Sequence, residues 1–178
     1  MPREPLLIVD GYNILHAWPE LLHAVGNDLQ TARERFADRL AEYEATRNTH
    51  AILIFDGSNK RPSGPMAAYA VETRFSTKGL TADHLIERLI VEVREATDDY
   101  LPITVATSDR LIHALAMRER AAVTGARDFV RELEALRAET ARYSRQAHVP
   151  FRVAFTEIAR PSRSQRKPRR PTGDESEL

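Results

Sequence analysis

Leu6-Leu7-Ile8-Val9-Asp10-Gly11 is a continuous apolar run that ends on an acid and a glycine, within a chain of 178 residues. Apolar character without alternation suits a strand buried on both faces of a parallel sheet. Ala51-Ile52-Leu53-Ile54-Phe55 ends in the same way at Asp56-Gly57, and Ile103-Thr104-Val105-Ala106-Thr107 ends at Ser108-Asp109. Between these runs Leu29, Ala32, Phe36, Leu40 and Tyr43 keep the helical period, as do Leu85, Ile86, Leu89, Ile90 and Val93. Strands alternating with helices specify an α/β fold with a mostly parallel central sheet. Residues 71–76 form a weaker strand candidate and 121–124 a short one. Residues 128–146 read as a helix carrying Phe129, Leu133, Leu136 and Tyr143, and 149–155 as a final edge strand. Residues 57–70, with Lys60, Arg61, Pro62, Gly64 and Pro65, read as a loop.

The length suits one compact domain, expected over residues 1–159. The chain has no cysteine, which excludes thiolate zinc sites, iron–sulfur clusters, disulfides and a cysteine nucleophile. No apolar run approaches the roughly 20 residues that cross a bilayer. Met1-Pro2-Arg3-Glu4-Pro5 leads into the first strand run without signal-peptide character, so a cytoplasmic protein is expected. The formal net charge is zero, yet Arg160, Arg163, Arg166, Lys167, Arg169 and Arg170 outweigh Asp174, Glu175 and Glu177. Residues 160–178 therefore stand at +3 and residues 1–159 at −3. Pro161, Pro168 and Pro171 interleave with Ser and Arg there, a composition that predicts a disordered basic tail. Such a tail either tethers nucleic acid or serves as a solubilising end.

In an open parallel sheet ligands bind beyond the carboxyl ends of the strands, where Asp10, Asp56 and Asp109 all fall. Asp83, in Thr81-Ala82-Asp83-His84, is expected in the first turn of a helix capped by Thr81. Hard cations such as Mg²⁺ or Mn²⁺ take a few carboxylates, several waters and substrate phosphate, which makes Asp10, Asp56, Asp83 and Asp109 the candidate metal ligands. An ion so placed orients an attacking water, lowers its pKa and stabilises phosphoryl charge, which points to phosphodiester hydrolysis. The alternative for each acid is structural: Asp-Gly is a common turn, and a first-turn acid favours the helix dipole. Glu87, one helical turn past Asp83, is either an outer acid of the same crevice or a solvated surface residue. Asn13 either anchors the loop after the first strand, contacts substrate or caps. Thr107 and Ser108 are candidates for contacting water on the ion or phosphate, although Ser-Asp before a helix is also an ordinary cap, and Lys78 joins Asn13 and Ser108 as an expected substrate contact. His16, His23, His50, His84, His113 and His148 show no metal-ligand spacing.

Other chemistries fail on particular residues. Asp10 is followed by Gly11 and Tyr12, not by the second acid expected of an aspartyl-phosphate enzyme. No Gly-rich phosphate loop and no Gly-x-Ser-x-Gly elbow occurs.

Ile8-Val9-Asp10-Gly11-Tyr12-Asn13 resembles the opening signature of NYN domains, especially the bacterial YacP-like branch. Phe55-Asp56-Gly57, Thr81-Ala82-Asp83, Ala106-Thr107-Ser108-Asp109 and Thr124-Gly125-Ala126 follow in the family's order, so that the resemblance spans residues 6–136. It implies a three-layer α/β/α PIN-like fold and a metal-dependent endoribonuclease, with the YacP-like branch associated with the ribosome and cutting messenger RNA there. Carried over by position, it implies Asp10, Asp83 and Asp109 as catalytic acids, with Asp56 nearby and Asn13 in support. Two stretches depart from it: Arg110-Leu111-Ile112-His113 is more apolar than the branch leads one to expect, and the basic extension past Arg160 lies outside the pattern. RNA, rather than DNA, follows from the resemblance alone, because no residue motif here reads a 2′-hydroxyl. The competing function is a non-catalytic RNA- or ribosome-binding module of the same fold.

Deleting residues 160–178 should weaken RNA binding and flatten its dependence on salt, because fewer cations then displace counterions from phosphate. Filter or anisotropy binding of both proteins across a salt series checks this. An unchanged salt slope would leave the solubilising end as the tail's role.

Overall fold

The structure, a computed structural model, describes residues 4–57, 69–77, 79–96 and 101–147. All of them belong to the compact unit that ends at Ala147. Lys78, most of the expected loop at 57–70, the strand candidate at 149–155, the domain boundary at 159 and the basic tail lie outside the described residues.

In chain order the elements are β1 (Leu6–Asp10), α1 (Gly11–His16), α2 (Pro19–Ala24), α3 (Leu29–Arg47), β2 (His50–Phe55), β3 (Glu72–Phe75), α4 (Ala82–Ala96), β4 (Ile103–Ala106), α5 (Arg110–Arg118), β5 (Ala122–Thr124) and α6 (Ala126–Ala147). The strands pair in the order β3-β2-β1-β4-β5, every pair parallel. β1 is therefore central, and its unbroken apolar run follows from burial on two faces. Leu7 and Val9 point into one core with Leu53, Phe55, Phe36, Leu40, Phe129 and Leu133. Leu6 and Ile8 point into the other with Ile52, Ile54, Ile86, Ile90, Val105 and Ile112. Alternate strand residues thus supply opposite layers, with α1, α3 and α6 on one face and α4 and α5 on the other.

Local sequence sets the helix ends. The carboxylate of Asp28 accepts from the Thr31 N–H (2.9 Å) to start α3, and Asn48, left-handed at φ 50°, stops it. Pro19 stands at the start of α2 and lacks the N–H that a first turn leaves unpaired. Tyr143, expected on the packed face of α6, is exposed instead. Among the described residues no helix is long and apolar enough to cross a membrane.

α1 and α2 are absent from the sequence expectation, which placed a loop after β1. The glycine at the start of α1 is required by close approach. A Cβ on Gly11 would lie 2.3 Å from the Phe55 ring and 2.8 Å from the Ile54 carbonyl oxygen. Gly11→Ala should therefore destabilise the protein by about 2 kcal/mol or more, the usual scale of overpacking. Gly125→Ala, whose Cβ would meet nothing nearer than 3.7 Å, should be tolerated. Urea unfolding of the two variants checks this, and equal midpoints would refute the close-approach reading.

Candidate active site

The chain leaves β1 toward β2 and β3, then returns to add β4 and β5 on the other side. Between β1 and β4 the connections diverge, which opens the crevice where open α/β sheets bind ligands. Asp10 ends β1 on its lip, only 8% exposed, and also caps α1. One carboxylate oxygen accepts from the Asn13 N–H (3.4 Å) and the other from the Thr107 hydroxyl (3.1 Å). The Thr107 oxygen accepts in turn from the Asp109 N–H (3.1 Å), and its own N–H donates to the Thr124 carbonyl (3.0 Å). Thr107 is buried with its only proton on Asp10. It is a brace, not the contact to water or phosphate that the sequence suggested.

Asp109 follows β4 and caps α5, accepting from the N–H groups of Leu111 (2.7 Å) and Ile112 (3.3 Å). Asp83 lies in the first turn of α4, behind Thr81, whose hydroxyl oxygen accepts from the His84 N–H (3.4 Å). Asp56 sits one residue past β2 and accepts from the Ser76 hydroxyl (2.9 Å), while the Ser76 oxygen accepts from the Gly57 N–H (2.9 Å). Glu87 does not join this group. It faces Arg118 of α5 at 3.8 Å, as a surface residue would.

Asn13 lies within α1, not in a loop, and its side-chain oxygen accepts from the Ser108 N–H (2.8 Å). The Ser108 oxygen accepts from the Ala126 N–H (2.9 Å) at the start of α6. Both residues line an open cleft of about 600 Å³ with His16, Ala17, Gly125, Ala126, Arg127, Asp128 and Arg131. His16 shows no metal-ligand spacing in the sequence, and Arg127 and Arg131 were not singled out there. Tyr12 packs its ring on Phe55 (5.0 Å between centroids) and accepts from the guanidinium of Arg33 (2.9 Å), a buried cation lying over Phe55 and Phe75.

The acids of the crevice feel one another. Burial pushes the Asp10 carboxyl up from 3.8 to about 6, its bonds to Thr107 and Asn13 oppose that, and the charges of Asp83 and Asp109 add to it. Asp83 is raised as well, by partial burial and then by Asp109, with His84 opposing and Asp56 adding. Among the described residues, no three acidic or histidine side chains are gathered closely enough to enclose an ion as they stand. The donors are nevertheless all hard carboxylate oxygens in mutual repulsion. They fit a hard divalent cation that keeps part of its water shell and takes one or two carboxylates directly.

A family model described as the YacP-like NYN domain matches residues 7–160. The chain belongs to that family. It is 31% identical over 136 residues to the uncharacterized protein YacP of Bacillus subtilis strain 168, covering 74% of this chain and 76% of that one. The crystal structure of Rae1 (YacP) from Bacillus subtilis superposes with a TM-score of 0.67 at 30% identity, covering 80% of each chain. A tryptophan-to-leucine mutant of that protein gives the same TM-score and identity over 84% of this chain and 86% of that one. The YacP-like NYN domain thus accounts for the all-parallel five-stranded sheet and carries the PIN-like nuclease fold.

In the YacP-like domain a carboxyl whose folded pKa lies above its ordinary value stabilises the fold only while protonated. The contribution of Asp10 is complete below 3.8 and is lost as pH rises through about 6. A gap of about two pH units corresponds to roughly 3 kcal/mol. Asp10→Asn, which has no charge to bury, should melt a few degrees above the parent at pH 8 in EDTA, with the gain shrinking as pH falls through about 6 and gone below 3.8. Superimposed melting curves at pH 8 would show that the buried charge carries no strain.

Proposed function

We propose that this YacP-like protein is a metal-dependent endoribonuclease that hydrolyses RNA phosphodiester bonds, with messenger RNA on the ribosome as its setting. The supporting observation is the placement of Asp10, Asp83 and Asp109 around the crevice between β1 and β4, where Asp10 feels the charges of Asp83 and Asp109 and Asp83 feels that of Asp109. RNA and the ribosome are supported by family resemblance, not by a contact of this chain.

Asp10, Asp83 and Asp109 would hold Mg²⁺ or Mn²⁺, with Asp56 beside them. Such an ion, when bound, supplies a water of lowered pKa and neutralises charge building on the phosphoryl oxygens. The chain's own part is positioning. Thr107 fixes the rotamer of Asp10 through a bond that takes only one of the carboxylate's lone pairs. Asp109 keeps one oxygen on the α5 N-terminus and has the second for the ion. Asn13 and Ser108 line the side from which a phosphodiester would enter.

One observation favours the competing reading of a non-catalytic RNA- or ribosome-binding module: Asp10 and Asp109 already serve as helix caps. The caps also make the test clean, because asparagine caps as well as aspartate and ligates a hard cation poorly. Labelled RNA incubated with the protein should be cut internally in millimolar Mn²⁺ and not in EDTA. Asp10→Asn and Asp109→Asn should each lower the rate at least about a hundredfold, the equivalent of about 2.7 kcal/mol of barrier. Both should keep a cooperative melt. Cleavage that persists in EDTA would end the metal mechanism, and full activity of both variants would end the site assignment.

A further inference from the structure

The cleft between α1 and α6 contains a pattern that the acid cluster does not use. Asn13 and Ser108 are both oriented by main-chain N–H groups. The side-chain oxygen of Asn13 is taken by Ser108 (2.8 Å) and the hydroxyl oxygen of Ser108 by Ala126 (2.9 Å). Each bond orients its residue by occupying one acceptor lone pair, and the Asn13 amide N–H groups and the Ser108 hydroxyl proton remain as donors on a cleft wall that both residues line. The cleft's acid, Asp128, is paired with Arg131 (3.1 Å). Arg127 is exposed and has no acidic partner among the described residues. Beside these donors His16 is exposed and stacks on Tyr12, with ring centroids 6.4 Å apart and planes 22° from parallel. The Tyr12 ring is itself fixed by Arg33 and Phe55. A wall with free amide and hydroxyl donors, next to one uncompensated guanidinium and the face of an anchored ring, suits an anion joined to a flat heterocycle.

We propose that the α1–α6 cleft is a nucleotide subsite for single-stranded RNA, in which Arg127, Ser108 and the Asn13 amide hold a backbone phosphate adjoining the one at the acid cluster and His16 stacks the base. Ser108 lies between Thr107 and Asp109, so a phosphate held there is a neighbour of the crevice along one strand. Stacking on an open ring needs an unpaired base, which makes the subsite selective for single strands. This assignment rests on the nuclease reading for what lies at the acid cluster, but its binding test does not require cleavage.

The test is fluorescence anisotropy of a labelled, unstructured RNA 12-mer in EDTA, over a series of salt concentrations. Arg127→Ala should weaken binding about fivefold at low salt. It should also reduce the slope of log affinity against log salt by about 0.7, the value for one phosphate contact on a single strand. Arg127→Lys should restore the slope. His16→Ala should weaken binding severalfold, and His16→Tyr should recover it. Arg88→Ala, on α4 across the sheet and paired with Glu92, should change neither. The same RNA annealed to its complement should bind less tightly and respond less to His16→Ala.

If Arg127→Ala and His16→Ala bind like the parent, or if the parent does not bind the 12-mer at 50 mM salt, the cleft is not an RNA subsite, whatever the protein cleaves. Loss of binding in these variants, in a protein that never cuts RNA in Mn²⁺, would keep the subsite and remove the nuclease. Cleavage that is unaffected by variants with unaltered binding would do the reverse.

Discussion

The hydroxyl of Thr107 spans the gap that opens where β1 and β4 part. It donates to Asp10 and accepts from the Asp109 N–H, so the end of the first strand and the cap of α5 are fixed to one oxygen atom. The other oxygen of Asp10 caps α1, Asn13 of α1 reaches the Ser108 N–H, and Ser108 caps α6. Side-chain to main-chain bonds therefore bring the N-termini of α1, α5 and α6 to one place. Every member of the chain has a partner, as buried polar groups require. The partial positive charges at the starts of α1 and α5, which Asp10 and Asp109 cap, offset some of the repulsion among the crevice acids. The Asp10 carboxyl is raised all the same, by its burial first and then by the charges of Asp83 and Asp109.

The strands were legible because β1, β2 and β4 are buried on both faces and so write themselves as unbroken apolar runs. The acids at their ends could be placed by counting from those runs. What escaped is set by tertiary geometry. Asp10-Gly11 reads locally as a turn, whereas the glycine is needed because α1 begins against the Phe55 ring and the Ile54 carbonyl, residues more than 40 positions away. Thr107 and Ser108 are adjacent hydroxyl residues with equal claims on paper. Burial makes the first a brace and exposure leaves the second facing the cleft. Glu87 lies one turn from Asp83, yet the rotation of α4, fixed by Ile86 and Ile90 in the core, turns it to Arg118. Arg33 stands within the apolar stripe of α3 and so carried a local signal of its own, a charge where a core residue belongs.

That arginine shows how far the aromatic layer is organised from behind. A buried guanidinium without a carboxylate in salt-bridge contact among the described residues is costly to desolvate, although the Asp28 carboxylate at the start of α3 feels its charge. It is sustained by the Tyr12 hydroxyl, Gln30 and the faces of Phe55 and Phe75. The ring that results is rigid at Tyr12, one residue from the glycine that starts α1, so α3 influences the crevice without reaching it.

The position of β1 also bears on how the chain acquires its shape during synthesis. The earliest of the described strands is the one in the middle, and half of its ladder cannot form until residues 103–106 have emerged. Until then Leu6 and Ile8 have β2 beside them but lack the β4 and α5 residues of their layer. The nascent chain must carry a half-covered parallel pair through the making of roughly fifty residues, a topology whose non-local contacts form late and slowly. The crevice forms only after β4 is made, since both of its lips must be present before the Thr107 hydroxyl has Asp10 to join.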